Sequence, residues 1–229
     1  MSVGAVIAAA GSGSRLGRGS KALVQLNGRT ALARAVQLFL SLEEVVCIVV
    51  AAPAARLESA KAEVAALAPA KPVDVTAGGE TRQQSVRAAL GRLDGCEYVL
   101  VHDAARPMAT PTLARRVLAA AVEHGAALPA LPPRDAVKRV ESGRIVESLD
   151  RRRIVLAQTP QAFEYQLLLK AHFMAHDAGL SGDDDAQLVV AAGHEVAVVE
   201  GEPTNIKLTT SEDLEVLEAL LREHEAARA

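Results

Sequence analysis

The sequence predicts an α/β fold in which a mostly parallel sheet is flanked by helices on both faces. Three observations carry this reading. Short apolar runs alternate with amphipathic stretches from residue 3 to residue 125, which is the rhythm of a βα repeat. The runs VVCIVV (45–50) and YVLVH (98–102) are apolar at consecutive positions, as strands covered on both faces must be. The chain has 229 residues, 50% of them apolar, enough to bury one large core, so residues 1–229 are expected to form a single domain.

Along the chain, VGAVIAAA (3–10) is the first buried strand and runs straight into a glycine-rich turn. TALARAVQLFLSL (30–42) supplies a helix, VVCIVVAAP (45–53) a strand, ARLESAKAEVAALA (55–68) a helix and PVDVTAG (72–78) a strand. RQQSVRAALGRL (82–93), YVLVHDAA (98–105) and LARRVLAAAVEHG (113–125) continue the alternation as helix, strand and helix. Over residues 135–150 the pattern changes to AVKRV, ESG and RIVESLD, two half-polar strands around a glycine turn. This hairpin has no helix to cover it, so it is expected to project as an arm and pack against another subunit. Helices follow near 164–178 and 184–192, then the strand EVAVVEG (195–201), then the helix SEDLEVLEALLREHE with Ser211 as N-cap.

Composition excludes several classes of function. With 25 basic and 28 acidic residues, formal charge −3, there is no positive field for a nucleic acid. Aromatic residues are 2% of the chain with no tryptophan, too few to build stacking platforms for single strands. No apolar run reaches the roughly 20 residues of a membrane span, and the apolar start lacks the basic segment of a signal peptide. A soluble cytoplasmic protein is expected. Cys47 and Cys96 lie in apolar runs and read as buried thiols of a reducing compartment. His172 and His176 have i, i+4 spacing without a companion glutamate between them, which argues against zinc.

Ligands of open α/β sheets bind beyond the carboxyl ends of the strands. The loop AAAGSGSRLGRGSK (8–21) follows the first strand, and its glycines let backbone N–H groups approach an anion. Its spacing fits neither a Walker A loop nor a dinucleotide fingerprint. Arg15 and Lys21 place two cations there, suiting a triphosphate that is cut rather than a dinucleotide that is held. GGETRQQSV (78–86) puts Gly78 and Gly79 in a turn and Ser85 at the start of a helix, where backbone groups and a hydroxyl can read a pyrimidine edge. VLVHDAARP (99–107) places Asp103 beyond a buried strand, suited to holding Mg²⁺ across nucleotide phosphates. His102, ending the same strand, reads as a core residue rather than a general base.

G-x-G-x-R followed by a lysine at the end of the first strand resembles the signature of sugar-phosphate nucleotidyltransferases. GGETRQQSV, VLVHDAARP, LAQTPQAF (156–163) and NIKLT (205–209), in this order, resemble the 2-C-methyl-D-erythritol 4-phosphate cytidylyltransferase family over essentially the whole chain. The resemblance implies a Rossmann-like fold and CMP transfer from CTP to methylerythritol phosphate, releasing pyrophosphate, in isoprenoid precursor synthesis. It implies that Arg15, Lys21, Arg151 and Lys207 are the catalytic residues. Ala9, Ala10, Gly11, Gly13, Gly79, Glu80, Ser85 and Ala104 would hold the nucleotide. Asp103, Arg106 and Thr159 would face the acceptor, with Asp103 also the ligand of Mg²⁺ or another divalent cation. The 135–150 arm would make a homodimer in which Arg151 reaches the partner's acceptor.

Four positions depart from the family pattern. Ser20 stands where proline usually precedes the loop lysine, Ala136 replaces a threonine, Asp183 stands where threonine is common, and Thr204 replaces an acidic residue. These bear on acceptor fit, so ribitol 5-phosphate is an alternative acceptor, and a non-catalytic nucleotide-binding homologue is a third reading. From the chain length, no fused cyclodiphosphate synthase is expected after Leu221.

Overall fold

The computed structural model describes residues 1–11 and 20–226. β1 (Val3–Ala8) sends Val3, Ala5 and Ile7 to one face of the sheet and Val6 to the other. β2 (Gln25–Leu26) and β3 (Arg29–Thr30) form a small hairpin through Asn27 and Gly28, both at positive φ, the backbone a tight primed turn requires. The Thr30 hydroxyl then caps α1 (Ala31–Leu40) by accepting from the Ala33 N–H. β4 (Val45–Ala52), α2 (Leu57–Ala66), β5 (Val73–Ala77), α3 (Arg82–Leu90), β6 (Tyr98–Asp103) and α4 (Pro111–His124) follow in the predicted alternation.

Next come β7 (Ala126–Leu131), the hairpin β8 (Lys138–Glu141) and β9 (Arg144–Ser148), and then β10 (Leu156–Ala157) and β11 (Gln161–Glu164). α5 (Tyr165–Asp177), α6 (Asp185–Ala191), β12 (Ala197–Glu200) and α7 (Ser211–Ala226) complete the chain. The main sheet has eight strands in the order β10-β7-β11-β6-β1-β4-β5, with β12 also paired to β7. β10 and β11 run against the rest, so the sheet is mostly parallel, as expected. α1, α2 and α4 cover one face, and α3, α5 and α6 the other. Gly4 in β1 is needed for this closeness, because a Cβ there would meet Leu93 at 2.9 Å and the Cys96 sulfur at 3.0 Å.

Two sequence expectations change. Ser211 is not the cap of α7. Thr210 precedes the helix, its N–H donates to the Asp213 carboxylate at 2.8 Å and its hydroxyl accepts from the Asp213 N–H at 3.4 Å, a reciprocal box one residue earlier. The thiols also differ: Cys96 is buried but Cys47 is only half-buried, and the two sulfurs lie 3.7 Å apart without a disulfide. Burial, the larger influence, together with the neighbouring Cys47 pushes the Cys96 thiol up to about 12, so it stays protonated at neutral pH.

β8 and β9 are exposed at every residue. They turn through Ser142 and Gly143, both at positive φ, and touch no hydrophobic cluster. The hairpin thus stands uncovered, as the sequence suggested. Among the described residues no helix is long and apolar enough to cross a membrane.

Candidate active site

The loops after β1, β5 and β6 meet at the carboxyl ends of the central strands. Backbone bonds fix them there: Ala9 N–H donates to Ala51 O at 2.9 Å, Gly78 N–H to Ala52 O at 2.8 Å and Ala104 N–H to Ala8 O at 3.0 Å. Between them opens a cavity of about 330 Å³, within the size range of small-molecule sites. Ala9, Ala10 and Gly11 form one wall, Gly79, Glu80 and Ser85 a second, Asp103 and Ala104 a third, and Lys21, Arg82 and Lys207 supply positive charge. Gly13 and Arg15 lie outside the described residues.

The Gly78–Gly79 turn is locked by the helix that follows it. Thr81 caps α3 in a capping box with Gln84. The Ser85 hydroxyl donates to Thr81 O at 2.8 Å and accepts the Gly79 N–H at 3.1 Å. A Cβ on Gly78 would lie 2.5 Å from the Ala10 Cβ and 2.7 Å from the Ser85 oxygen, so the turn can press against the first loop only as glycine. The result is a rigid wall of small residues and backbone groups on that side of the cavity.

Asp103 is the electrostatic centre. One carboxylate oxygen accepts Arg82 Nε at 2.8 Å, and the other accepts Lys207 Nζ at 2.6 Å. Burial alone would push its pKa up, but the Arg82 and Lys207 charges outweigh it and hold the carboxyl well below the usual range. Lys207 keeps 46% of its side chain exposed against 9% for Asp103, so the ammonium faces the opening. Its segment is tied down because Leu208 N–H donates to Ala105 O at 2.7 Å. Lys21 Nζ donates to Thr209 O at 3.1 Å, joining the first loop to the same segment.

His102 is a core residue, as the sequence reading held. It is fully buried, edge-on to Phe39 with ring centroids 5.7 Å apart. The Asp103 N–H donates to Thr159 Oγ1 at 3.1 Å, and the Arg106 carbonyl, which can only accept, faces His102 Nε2, so the neutral ring accepts the Thr159 hydroxyl proton at Nδ1 at 2.9 Å. His102 Nε2 therefore carries the ring proton and donates to Arg106 O at 3.1 Å. Burial, the largest influence, pushes His102 down to about 4 against the pull of the Asp103 carboxylate.

Thr159 and Arg106 sit behind the cavity rather than in its lining. Thr159 is buried beneath the Asp103 backbone. The Arg106 guanidinium donates to Asn205 O at 2.8 Å and Ala157 O at 3.2 Å. Both brace the loop that presents Asp103. Arg151 is exposed at the foot of the hairpin, where Nη1 donates to Arg134 O at 2.7 Å; within one chain it does not reach the cavity. Ala136, Asp183 and Thr204 are exposed and outside the lining.

Arg82 escaped the sequence reading. It occupies the first position of α3, where the helix dipole disfavours a cation. That misfit inside GGETRQQSV was the available signal.

The fold and the cavity define an α/β protein with a small, positively lined cavity at the carboxyl ends of its strands. Residues 3–223 match the family model described as IspD, 2-C-methyl-D-erythritol 4-phosphate cytidylyltransferase, and the chain belongs to that family. It is 39% identical over 217 residues to the 2-C-methyl-D-erythritol 4-phosphate cytidylyltransferase of Bacillus mycoides, covering 94% of this chain and 96% of that protein. It is 44% identical over 220 residues to the bifunctional enzyme IspD/IspF of Anaeromyxobacter dehalogenans, covering 94% of this chain but only 56% of the relative's length. Among solved structures, the cytidylyltransferase from Thermus thermophilus superimposes with a TM-score of 0.79 at 38% identity, covering 97% of this chain and all of that one.

Proposed function

We propose that this chain transfers CMP from CTP to 2-C-methyl-D-erythritol 4-phosphate, giving CDP-methylerythritol and pyrophosphate for isoprenoid precursor synthesis in the cytoplasm. The observation that carries the reading is the Asp103–Lys207 pair at 2.6 Å, set in a cavity lined also by Ala9, Ala10, Gly11 and Gly79 and by the cations Lys21 and Arg82. Family membership supplies the identity of nucleotide and acceptor.

The acceptor phosphate is already ionised at neutral pH, so no general base is needed; catalysis reduces to alignment and charge stabilisation. Ala9, Ala10 and Gly11 on one wall and Gly79, Glu80 and Ser85 on the other orient CTP. Lys21, with Arg15 from the first loop, stabilises charge on the α-phosphate and the departing pyrophosphate. Lys207 holds the acceptor phosphate in line with the α-phosphorus, and Arg151 of a second subunit, carried by the exposed hairpin, holds its other side. The functional unit on this reading is a homodimer.

Mg²⁺, or another divalent cation, fits this site as a companion of the triphosphate. Among the described residues no group of three or more ligating side chains could hold an ion alone. Each Asp103 oxygen retains a second lone pair beyond its bond to Arg82 or Lys207, and one carboxylate plus phosphates is a usual Mg²⁺ environment. When bound, the ion would neutralise phosphate charge, with Asp103 as its protein contact.

The test is pyrophosphate release from CTP and Mg²⁺, with methylerythritol phosphate and ribitol 5-phosphate offered separately. Release with methylerythritol phosphate alone is expected. Release only with ribitol phosphate would move the acceptor, and no release with either would sink the activity.

A further inference from the structure

Behind the Asp103–Lys207 pair lies a buried chain of charges that the proposed mechanism does not use. The Arg82 guanidinium bridges two carboxylates, with Nε on Asp103 at 2.8 Å and Nη1 on Asp185 at 2.7 Å. Asp185, the first residue of α6, is fully buried, and its second oxygen accepts His172 Nε2 at 2.9 Å. His172 is itself fully buried within α5. The chain therefore runs from α5 through α6 and α3 to the end of β6 and out to the Lys207 ammonium.

A buried ion pair is a poor device for stability, because removing two charges from water costs about what their attraction returns. Asp185 and His172 have no face toward the cavity, whereas Arg82 lines it. Asp185 therefore reaches the site only through Arg82. A guanidinium held in a fixed fork at two of its nitrogens cannot swing, and so fixes the carboxylate it grips. Asp103 in turn has one oxygen on Arg82 and one on Lys207, so its orientation sets where the half-exposed ammonium points.

We propose that Arg82 is a positioning residue, anchored from behind by Asp185 and His172, which fixes Asp103 and thereby aims Lys207 at the acceptor phosphate. This inference rests on the function proposed above. It separates the two substrates: the chain should govern use of the acceptor, while CTP remains held mainly by the walls of Ala9, Ala10, Gly11, Gly79, Glu80 and Ser85.

The experiment is steady-state kinetics of the full-length chain and of Asp185→Asn, Arg82→Gln, Arg82→Lys and the Asp185→Asn/Arg82→Gln double variant, with each substrate varied in turn. Loss of one hydrogen bond to a charged group sets the scale at about tenfold to a hundredfold. Asp185→Asn is expected to lower kcat/KM for methylerythritol phosphate by about tenfold, with KM for CTP moving less than about twofold. Arg82→Lys, which keeps the charge but not the fork, should recover part of the loss seen in Arg82→Gln. The double variant should be no worse than Arg82→Gln alone, since Asp185 acts through Arg82. Additive losses, or equal losses for both substrates, would mean a packing role and overturn the proposal. If Asp185→Asn does not fold, Arg82→Lys decides: unchanged acceptor kinetics would overturn the proposal, and an acceptor-specific loss would uphold it. A wild-type chain that releases no pyrophosphate overturns both the proposed function and this role; an active wild type with unaffected variants overturns this role alone.

Discussion

The cavity at the carboxyl ends of β1, β5 and β6 and the β8–β9 hairpin are both rich in charge, but they differ in what fixes their shape. At the cavity Asp103 is held by two cations of its own chain and Ser85 by the turn that it closes. The hairpin has its ladder, the cross-strand Arg139–Glu147 ion pair and a Lys138–Ser148 hydrogen bond, and leaves Val140, Ile145 and Val146 exposed. A two-stranded ribbon is marginal alone in water. The contrast separates side chains that their own chain holds in place from a ribbon that its own chain leaves uncovered.

The largest effect should fall on the sheet and spare the arm. Leu100 in β6 is fully buried, while Ile145 in β9 is 66% exposed. Leu100→Ala should cost about 2–5 kcal/mol of unfolding free energy through lost transfer energy and the cavity left behind. Ile145→Ala, measured by denaturant unfolding in dilute solution, should stay within about 0.5 kcal/mol. If its cost instead grows with protein concentration, the arm is covered by a second copy.

Activity should reverse that ranking. Arg151→Ala should leave the melting temperature in place and lower kcat/KM for the acceptor by about 10²–10³-fold, the scale for one charge-stabilising donor. Mixing it with inactive Lys21→Ala tests delivery across a dimer. Each mixed dimer would hold one site free of both changes, so about a quarter of wild-type activity should return if subunits exchange at random. No recovery after verified exchange would confine Arg151 to its own chain.

The third effect concerns pH and belongs wholly to the buried region. His102 has its pKa lowered from 6.5 to about 4. Below pH 6.5 the unfolded chain takes up a proton that the folded chain refuses until pH is near 4. The stability that His102 contributes is therefore complete above 6.5 and is lost progressively as pH falls toward 4, by about 3 kcal/mol at most. In metal-free buffer, denaturant titrations at pH 7, 5.5 and 4.5 should show this slope, and His102→Gln should flatten it. An unchanged slope would assign the acid sensitivity to other groups.

These outcomes bear on how much the sequence could tell. The βα alternation through α4, the loop glycines, Asp103 and Lys207 were legible because each follows from local pattern or from an ordered set of motifs. β7 was not. It carries Pro129 in a run of small residues, which reads as a loop because proline cannot donate to a ladder; in the sheet its carbonyl accepts Gln158 N–H at 2.8 Å instead. The Arg82–Asp185–His172 chain was hidden for another reason. Its members are 103 and 13 residues apart, and no spacing rule joins them until α3, α5 and α6 pack on one face. Arg106 and Thr159 show the converse: the motif identified residues at the site, but only the fold shows that they brace it from behind.

The smallest effect tests whether a family departure in the first loop has an energetic cost. Ser20, directly before Lys21, is a position where the resemblance described above leads one to expect proline. Its backbone has φ −62° and ψ 120°, already the geometry that a proline ring fixes near −65°. Its hydroxyl is buried without a partner among the described residues, so the side chain gains nothing from them for being enclosed. Ser20→Pro should therefore stabilise the chain by about 0.4–1 kcal/mol by restricting the unfolded state, raising the melting temperature by about 1–4 °C for a domain of this size. KM for CTP should not rise, because Lys21 is presented from the same backbone. A lower melting temperature would mean that the Ser20 N–H holds a partner in the loop before it, and the serine would then be a structural element of the phosphate wall rather than a tolerated change.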